Sequence, residues 1–283
     1  MQVQKQKTKE ETLQPFLKWV GGKRQLLPEI RKYYPADYNT YYEPMVGGGA
    51  VLFDLTPKKA VISDVNSDLI EAYTVIRDSL PELIQSLQKH SNTQEYFYEI
   101  RALDRNEELF KSLTPVERVS RLIYLNRTCF NGLYRVNKSG FFNVPFGKYK
   151  NPKILNEEGL TSVSKFLNEN DIQIKHADFA MAIEETAKGD FVYIDPPYDP
   201  VSKTASFTSY SKLDFDKQEQ VRIKENLDKL HKKGCKVLLS NSATDFIKDL
   251  YKDYDVMIVR PSRNINSVAS KRGKIDEVLI KNY

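Results

Sequence analysis

The sequence predicts an α/β protein built on an open, mostly parallel sheet, and three stretches predict it. Phe191-Val192-Tyr193-Ile194 is a run of aromatic and β-branched residues, the composition of a strand covered on both faces. Tyr41-Tyr42-Glu43 leads into Pro44-Met45-Val46-Gly47-Gly48-Gly49-Ala50, which reads as a strand, a glycine-rich turn and the start of a helix. Ala60-Val61-Ile62-Ser63 forms the next strand and ends in Asp64. That succession is the nucleotide-binding opening of a Rossmann-like sheet, whose ligands lie at the carboxyl ends of the strands.

Composition narrows the classes. At 283 residues and 40% hydrophobic content, the chain can bury a sizeable core, as one large domain or as a domain with an insertion. No apolar run approaches the roughly 18 residues of a membrane span, and residues 1–10 have no signal-peptide core. Two cysteines, Cys129 and Cys235, make no disulfide framework, so the expectation is a soluble cytoplasmic chain without a membrane partner. His90, His176 and His231 lack metal-ligand spacing with those cysteines, and no metal is expected. The net charge of +5 leans toward nucleic acid. Seventeen tyrosines and 14 phenylalanines beside 43 Lys+Arg are the types that stack on bases and neutralise phosphates. A tyrosine-rich core under a solvated charged face would have the same composition.

Residues 1–12 read as a polar tail. In Lys18-Trp19-Val20-Gly21-Gly22-Lys23 the paired glycines suit a tight turn close to a ligand. Trp19, the only tryptophan, is either part of that approach or a core anchor. In the next turn Gly47 and Gly49 fit the first two glycines of G-x-G-x-x-G, while Leu52 occupies the third place. Asp64 is placed to accept both hydroxyls of a ribose, a geometry that nicotinamide and S-adenosylmethionine enzymes share. A helix follows, with Asn66 as N-cap and Leu69, Tyr73, Ile76 and Leu80 on one face.

From residue 81 to 160 the alternation of strand and helix stops. This stretch reads as an inserted, mostly helical domain, leaving 1–80 and 161–283 to form the sheet domain. One inserted helix has a marked start, with Thr114 as N-cap, Pro115 next and Glu117 closing a capping box. Residues 133–136 and 141–144 flank Asn137-Lys138-Ser139-Gly140 and read as a β-hairpin. Arg135, Lys138, Lys148 and Lys150 interleave there with aromatic residues, a ribbon that fits a DNA major groove or is a surface hairpin with an aromatic underside.

The sheet resumes with Ile172-Gln173-Ile174-Lys175 and then Asp178, a candidate N-cap. After residue 198 comes a Ser/Thr-rich loop over 199–213 with Phe207 and Tyr210, a candidate lid. A helix capped by Asp216 and Glu219 carries Ile223, Leu227 and Leu230 on one face and stops at Gly234. Lys236-Val237-Leu238-Leu239-Ser240 is another buried strand, and two more are expected at 255–259 and 275–280. The charge run Lys271-Arg272-Gly273-Lys274 between them is either solvated or set against phosphates.

The chemistry concentrates in Asp195-Pro196-Pro197-Tyr198, just past the strand at 191–194. The exocyclic amine of adenine or cytosine is a poor nucleophile because its lone pair is delocalised into the ring. A carboxylate and a main-chain carbonyl that both accept its hydrogens localise the pair on nitrogen. Asp195 offers the first, Pro196 the second on a backbone stiffened by two prolines, and Tyr198 a flat face for stacking. The competing reading is a proline-stiffened turn after a core strand.

D-P-P-Y resembles the catalytic motif of the amino-group DNA methyltransferases. Together with K-W-V-G-G-K, E-P-M-V-G-G-G-A, S-D-V-N and F-N-G-L-Y-R-V-N-K-S-G-F-F-N-V-P-F-G-K-Y, in this order, it resembles the Dam group of GATC adenine methylases from about Leu13 to Tyr283. The resemblance implies a Rossmann-like S-adenosylmethionine-dependent methyltransferase sheet with an inserted recognition domain that carries the hairpin. It implies double-stranded GATC DNA as partner, S-adenosylmethionine as methyl donor, and base flipping. Asp195, Pro196 and Tyr198 then match the catalytic residues. Trp19, Lys23, Gly47, Gly49, Asp64, Asp178 and Asp195 match positions at the donor, Asp178 beside its adenine. Lys18, Leu133, Pro145 and Tyr149 match target-site contacts, Arg135 the reader of a guanine, and Phe130-Asn131 the pair that enters the stack. Chromosomal bacterial members have tyrosine where Phe130 stands, so the wedge is kept and its hydroxyl lost.

Other activities fit the residues less well. A cytosine-C5 enzyme needs a cysteine nucleophile, typically after proline, but Cys129 follows Thr128 and Cys235 follows Gly234. A cytosine-N4 methylase shares the mechanism but more often carries serine in place of Asp195. The F-N-G-L-Y-R segment argues against RNA or protein amines. An inactive donor-binding DNA-recognition protein conflicts with an intact Asp195 and Tyr198.

Overall fold

The strands form because their side chains alternate between two cores. In the computed structural model, which describes residues 13–200, 215–260 and 276–283, Phe191 and Tyr193 enter one core while Val192 and Ile194 enter the other. The seven strands are β1 (Tyr41–Glu43), β2 (Lys59–Asp64), β3 (Asp171–His176), β4 (Phe191–Ile194), β5 (Lys236–Ser242), β6 (Asp255–Val259) and β7 (Glu277–Lys281). Their order is β3-β2-β1-β4-β5-β7-β6. The pairs from β3 through β5 are parallel, and β7 is antiparallel to both of its neighbours. This mixed α/β sheet is consistent with a methyltransferase fold. From β1 the chain crosses outward to β2 and β3 on one side and returns to β4 on the other, so the crevice opens at the carboxyl ends of β1 and β4.

Helices cover both faces. The first helices are short, α1 (Leu27–Ile30) and α2 (Ala50–Leu55). Between β2 and β3 lie α3 (Ser67–Asp78), α4 (Leu80–Gln88), α5 (Gln94–Ala102), α6 (Glu107–Ser112), α7 (Pro115–Thr128) and α8 (Glu157–Glu169). Their buried faces, with Tyr73, Leu83, Phe97, Tyr124 and Phe166, share one core with β1 and β4. The opposite core is covered by α9 (Phe179–Ala182), α10 (Lys217–Lys233) and α11 (Asp245–Leu250), through Phe179, Ile223, Leu227 and Ile247.

Several local expectations hold. Asn66 caps α3 by accepting from Leu69 N at 3.1 Å, the Thr114–Glu117 capping box on α7 is complete, and Gly234 ends α10 with φ +81°. Four differ. The helix expected to run through Leu80 stops at Asp78; Pro81 is tolerated only in a first turn, so Leu80 begins α4 instead. Asp216 caps α10, but the Glu219 carboxylate turns to Arg222 at 3.1 Å instead of closing a box. The last strand begins at Glu277, two residues later than the expected 275. The hairpin is no regular ladder, since its two arms meet at a single bridge, Val136 with Phe142. It is held from outside, by Asp104, which takes Phe142 N at 2.7 Å and pairs with the buried Arg121 at 2.8 Å. The tail at 1–12, Phe207 and Tyr210 of the candidate lid, and the 271–274 charge run lie outside the described residues.

Candidate active site

The glycine turn after β1 sets the floor of the site. Gly49 is the N-cap of α2 with φ +71°, and a Cβ there would meet the Tyr73 hydroxyl at 2.5 Å, so only glycine fits. Gly47 has φ +49°, and its N–H donates to Asp64 Oδ2 at 3.1 Å. Asp64, at the end of β2, also takes Asn66 N on Oδ1 at 2.9 Å. Burial raises its carboxyl above the usual range, against those backbone donors.

The tetrad stands directly opposite, beyond β4. Asp195 Oδ1 accepts from Lys23 Nζ at 2.7 Å and from Ser240 Oγ at 2.8 Å. Burial raises the Asp195 carboxyl, opposed first by the Lys23 charge and then by the hydrogen bonds of Lys23 and Ser240. Lys23 also donates to Gly21 O at 2.7 Å and lies 4.4 Å from the Tyr198 ring centroid. The Tyr198 hydroxyl donates to Glu277 Oε2 at 2.8 Å, which sets the plane of the ring. Two buried amides hold the backbone: Gln220 donates to Pro197 O at 2.8 Å, and Asn241 Oδ1 accepts from Asp199 N at 3.1 Å. Among the described residues neither Asp195 Oδ2 nor Pro196 O has a hydrogen-bond partner, so one carboxylate oxygen and one fixed carbonyl are open to a ligand.

Trp19 stacks on Tyr134, with ring centroids 4.8 Å apart, and packs against Gly47, so its anchor and site readings coexist. Asp178 caps α9 through Ala180 N at 3.0 Å, and its carboxylate also pairs with Arg222 from α10, Nη1 to Oδ2 at 3.0 Å. Trp19, Lys23, Gly47, Asp64, Asp178, Asp195, Pro196 and Tyr198 all line one cavity of about 1500 Å³. That exceeds the roughly 300–1,000 Å³ usual for a single small molecule. Among the described residues there is no cluster of His, Cys, Asp and Glu that could hold a metal, and no helix is long and apolar enough to cross a membrane.

A second group gathers at the end of α7. Asn126 holds the Lys18 main chain at both N–H and C=O, each at 2.9 Å. Phe130 N donates to Pro145 O at 2.8 Å, and Lys18 Nζ lies 5.8 Å from the Tyr149 ring centroid. The Phe130 side chain is 52% exposed, and Asn131 takes φ +58°. Leu133 is half-buried beside them. Arg135 stands apart on the ribbon, exposed, with Nε on Asn143 Oδ1 at 2.7 Å.

Three side chains at these sites escaped the sequence reading: Ser240, Glu277 and Arg222. Ser240 carries one signal, a polar residue closing an apolar strand. The others have none, because their partners come from distant segments.

Comparison with known proteins agrees with this geometry. The family described as D12 class N6 adenine-specific DNA methyltransferase matches residues 19–265. The chain is 46% identical over 273 residues to the type II methyltransferase M1.LlaDCHI of Lactococcus lactis subsp. cremoris, covering 96% of each. It is 43% identical to the type II methyltransferase M.MjaIII of Methanocaldococcus jannaschii, over 96% of this chain and 99% of that one. The DNA adenine methylase of Escherichia coli is 35% identical over 93% of both chains. The family implies S-adenosylmethionine as the methyl donor and DNA as the substrate. The chain belongs to the D12 class of N6 adenine-specific DNA methyltransferases, and is an adenine-specific DNA methyltransferase.

Proposed function

We propose that the chain methylates N6 of adenine in double-stranded GATC sites, on a base rotated out of the duplex into the cavity beside Tyr198. The observation that carries this reading is the pair of open acceptors, Asp195 Oδ2 and Pro196 O, beside a ring fixed by Glu277. They accept the two N6 hydrogens and localise the lone pair on nitrogen, while Tyr198 stacks on the base. When bound, S-adenosylmethionine supplies an electrophilic methyl group on a sulfonium. The positive charge that builds on N6 during in-line attack is stabilised by the ionised Asp195, so positioning and electrostatics carry the step. No covalent intermediate on the protein is needed.

The residues fit the donor. Asp64 keeps a lone pair on each oxygen for the ribose hydroxyls, and Gly47 and Trp19, packed on each other, line the same cavity. Lys23 neutralises Asp195 before the base arrives, and Asp178, paired with Arg222, would hold the donor's adenine.

Residues 81–160 are the target-recognition domain in this reading. Phe130 and Asn131 enter the stack left by the flipped base, as their exposure and left-handed backbone suit. Lys18, Leu133, Pro145 and Tyr149 contact the site around it. Arg135 reads a guanine. Its Nε and one Nη2 hydrogen are engaged by Asn143, at 2.7 Å and 3.3 Å, which leaves the Nη1/Nη2 edge for O6 and N7. The motifs resemble those of the DpnII modification methylase, and two relatives are named type II methyltransferases, which favours a restriction-modification setting over an orphan methylase.

The test is to incubate unmethylated DNA with enzyme and S-adenosylmethionine and map every modified base. N6-methyladenine confined to GATC is the expected result. Methylated adenines outside GATC would overturn the assigned site, and N4-methylcytosine the assigned base.

A further inference from the structure

The conformation of Asp195 is fixed by a directed chain of buried hydroxyls on the neighbouring strands. Tyr193 of β4 and Leu238 of β5 are register partners, and Ile194 pairs with Leu239. Two steps on, Asp195 and Ser240 therefore emerge from the same face of the sheet as Tyr193. Tyr193 and Ser240 are both completely buried. Ser240 Oγ donates to Asp195 Oδ1 at 2.8 Å, and the Tyr193 hydroxyl lies 3.0 Å from Ser240 Oγ.

A proton count gives the chain its direction. Serine has one hydroxyl hydrogen, and an ionised carboxylate has none to give. The Ser240 hydrogen is committed to Asp195, so Tyr193 donates to Ser240. Burial pushes the Tyr193 phenol well above its usual range, which keeps that hydrogen in place. With Lys23 Nζ at 2.7 Å on the same Oδ1, the carboxylate cannot rotate without breaking two charge-assisted bonds. Its other oxygen, Oδ2, has no partner among the described residues, and Asp195 lines the cavity.

We propose that Ser240, itself held by Tyr193, is a positioning residue for methyl transfer: it fixes the Asp195 carboxylate so that Oδ2 meets the target amine. Ser240 touches neither base nor donor in this arrangement and acts through Asp195 alone. The inference rests on the assignment of Asp195 as the acceptor of the amine hydrogens.

The groups facing Asp195 define how pH enters. They are Lys23 from the N-terminal turn, Glu43 from β1, Tyr193 and Tyr198 from the β4 segment, and Glu277 of β7, which reaches it through Tyr198. Ser240 favours the charged carboxylate, so its loss moves the acid limb of the kcat profile to higher pH.

The experiment measures single-turnover methylation against pH for Ser240→Ala, Ser240→Thr, Tyr193→Phe and, as control, Asp195→Asn, each with donor and DNA affinities and thermal stability. Ser240→Ala is expected to slow transfer about 10- to 100-fold, the range for losing a hydrogen bond to a charged group. Both affinities stay within about twofold, and the acid limb moves up in pH. Ser240→Thr restores both the rate and the limb, while Tyr193→Phe gives a smaller change of the same sign. An unmoved acid limb in Ser240→Ala, or a threonine variant that folds but fails to restore the rate, would overturn the positioning role. Asp195→Asn separates the two levels. If it retains turnover, the assignment of Asp195 fails. If it abolishes turnover while Ser240→Ala is unaffected, only the role of Ser240 fails.

Discussion

The two halves of the proposed machinery are built to different standards. The chemical half sits on strand ends, where Asp195, Tyr198 and Asp64 each have a bonded partner from another strand or turn. Lys23, Ser240, Asn241 and Gln220 around them are buried. The DNA-facing half is exposed, with Phe130 at 52% and Tyr149 at 36%, and its ribbon is held by one backbone bridge, by hydrogen bonds between Arg135 and Asn143 and by contacts to Asp104. The difference follows from when each half meets its ligand. Transition-state charge is stabilised well only by groups already in place. A surface that must follow a duplex and wedge into it works with side chains free to adapt. Each half should therefore fail in its own way.

The largest effect belongs to the rigid half. Asp195→Ala removes an acceptor needed mainly in the transition state, so turnover should fall about 100- to 1,000-fold or more while DNA binding changes little. Single-turnover methylation within tenfold of the parent would erase the distinction between the halves.

Asp64→Ala comes next. Loss of its carboxylate leaves ribose hydroxyls unpaired at a buried site and should weaken donor binding by about 1–3 kcal/mol, or somewhat more because the lost partner is charged. Calorimetry with S-adenosylmethionine measures this, and an unchanged affinity would remove Asp64 from the donor site. Arg135→Ala tests the adaptable half. A base reader costs about 1–3 kcal/mol on GATC alone and relaxes discrimination at one position, whereas a phosphate contact weakens every duplex equally. Binding to GATC and to its single-substitution variants distinguishes the two.

The smallest effect sharpens the comparison through stability. His90, stacked on Tyr124 among the helices between β2 and β3, is held down to about 4 by burial, so it stays neutral when folded. The unfolded chain takes up that proton below about pH 6.5, and His90 therefore costs stability as pH falls from 6.5 toward 4. Glu43, buried at the end of β1, is pushed up by burial to about 8 from an ordinary 4.5, and costs stability as pH rises through that window. Denaturant titrations of His90→Gln and Glu43→Gln should flatten the acid and the alkaline side respectively. The same side flattening in both variants would contradict the assignment.

What was legible in the sequence was local. The strand at 191–194, the glycine turn at 47–49 and the caps at Asn66 and Thr114 each depend on residues within a few positions, and each is found. Asp195 was legible as the residue just past a strand end, and it stands there. Its supports were not, since Ser240 lies 45 and Glu277 79 residues beyond their partners, and only the sheet order brings them together. The insertion of β7 between β5 and β6 has no local signature. The ribbon was legible in part: its arms do pair antiparallel at Val136 and Phe142, but Asp104 and Arg121, from elsewhere in the chain, also hold it.

The division of labour is tested most directly by single-turnover methylation of Asp195→Ala and Arg135→Ala on GATC and on duplexes changed at one guanine-bearing pair, at saturating donor and DNA. Asp195→Ala is expected to lose rate on GATC while its DNA binding keeps the parent's preference, and Arg135→Ala to transfer at close to the parent rate but no longer distinguish the changed pair. If either variant lost rate and discrimination together, the two halves would not be separate.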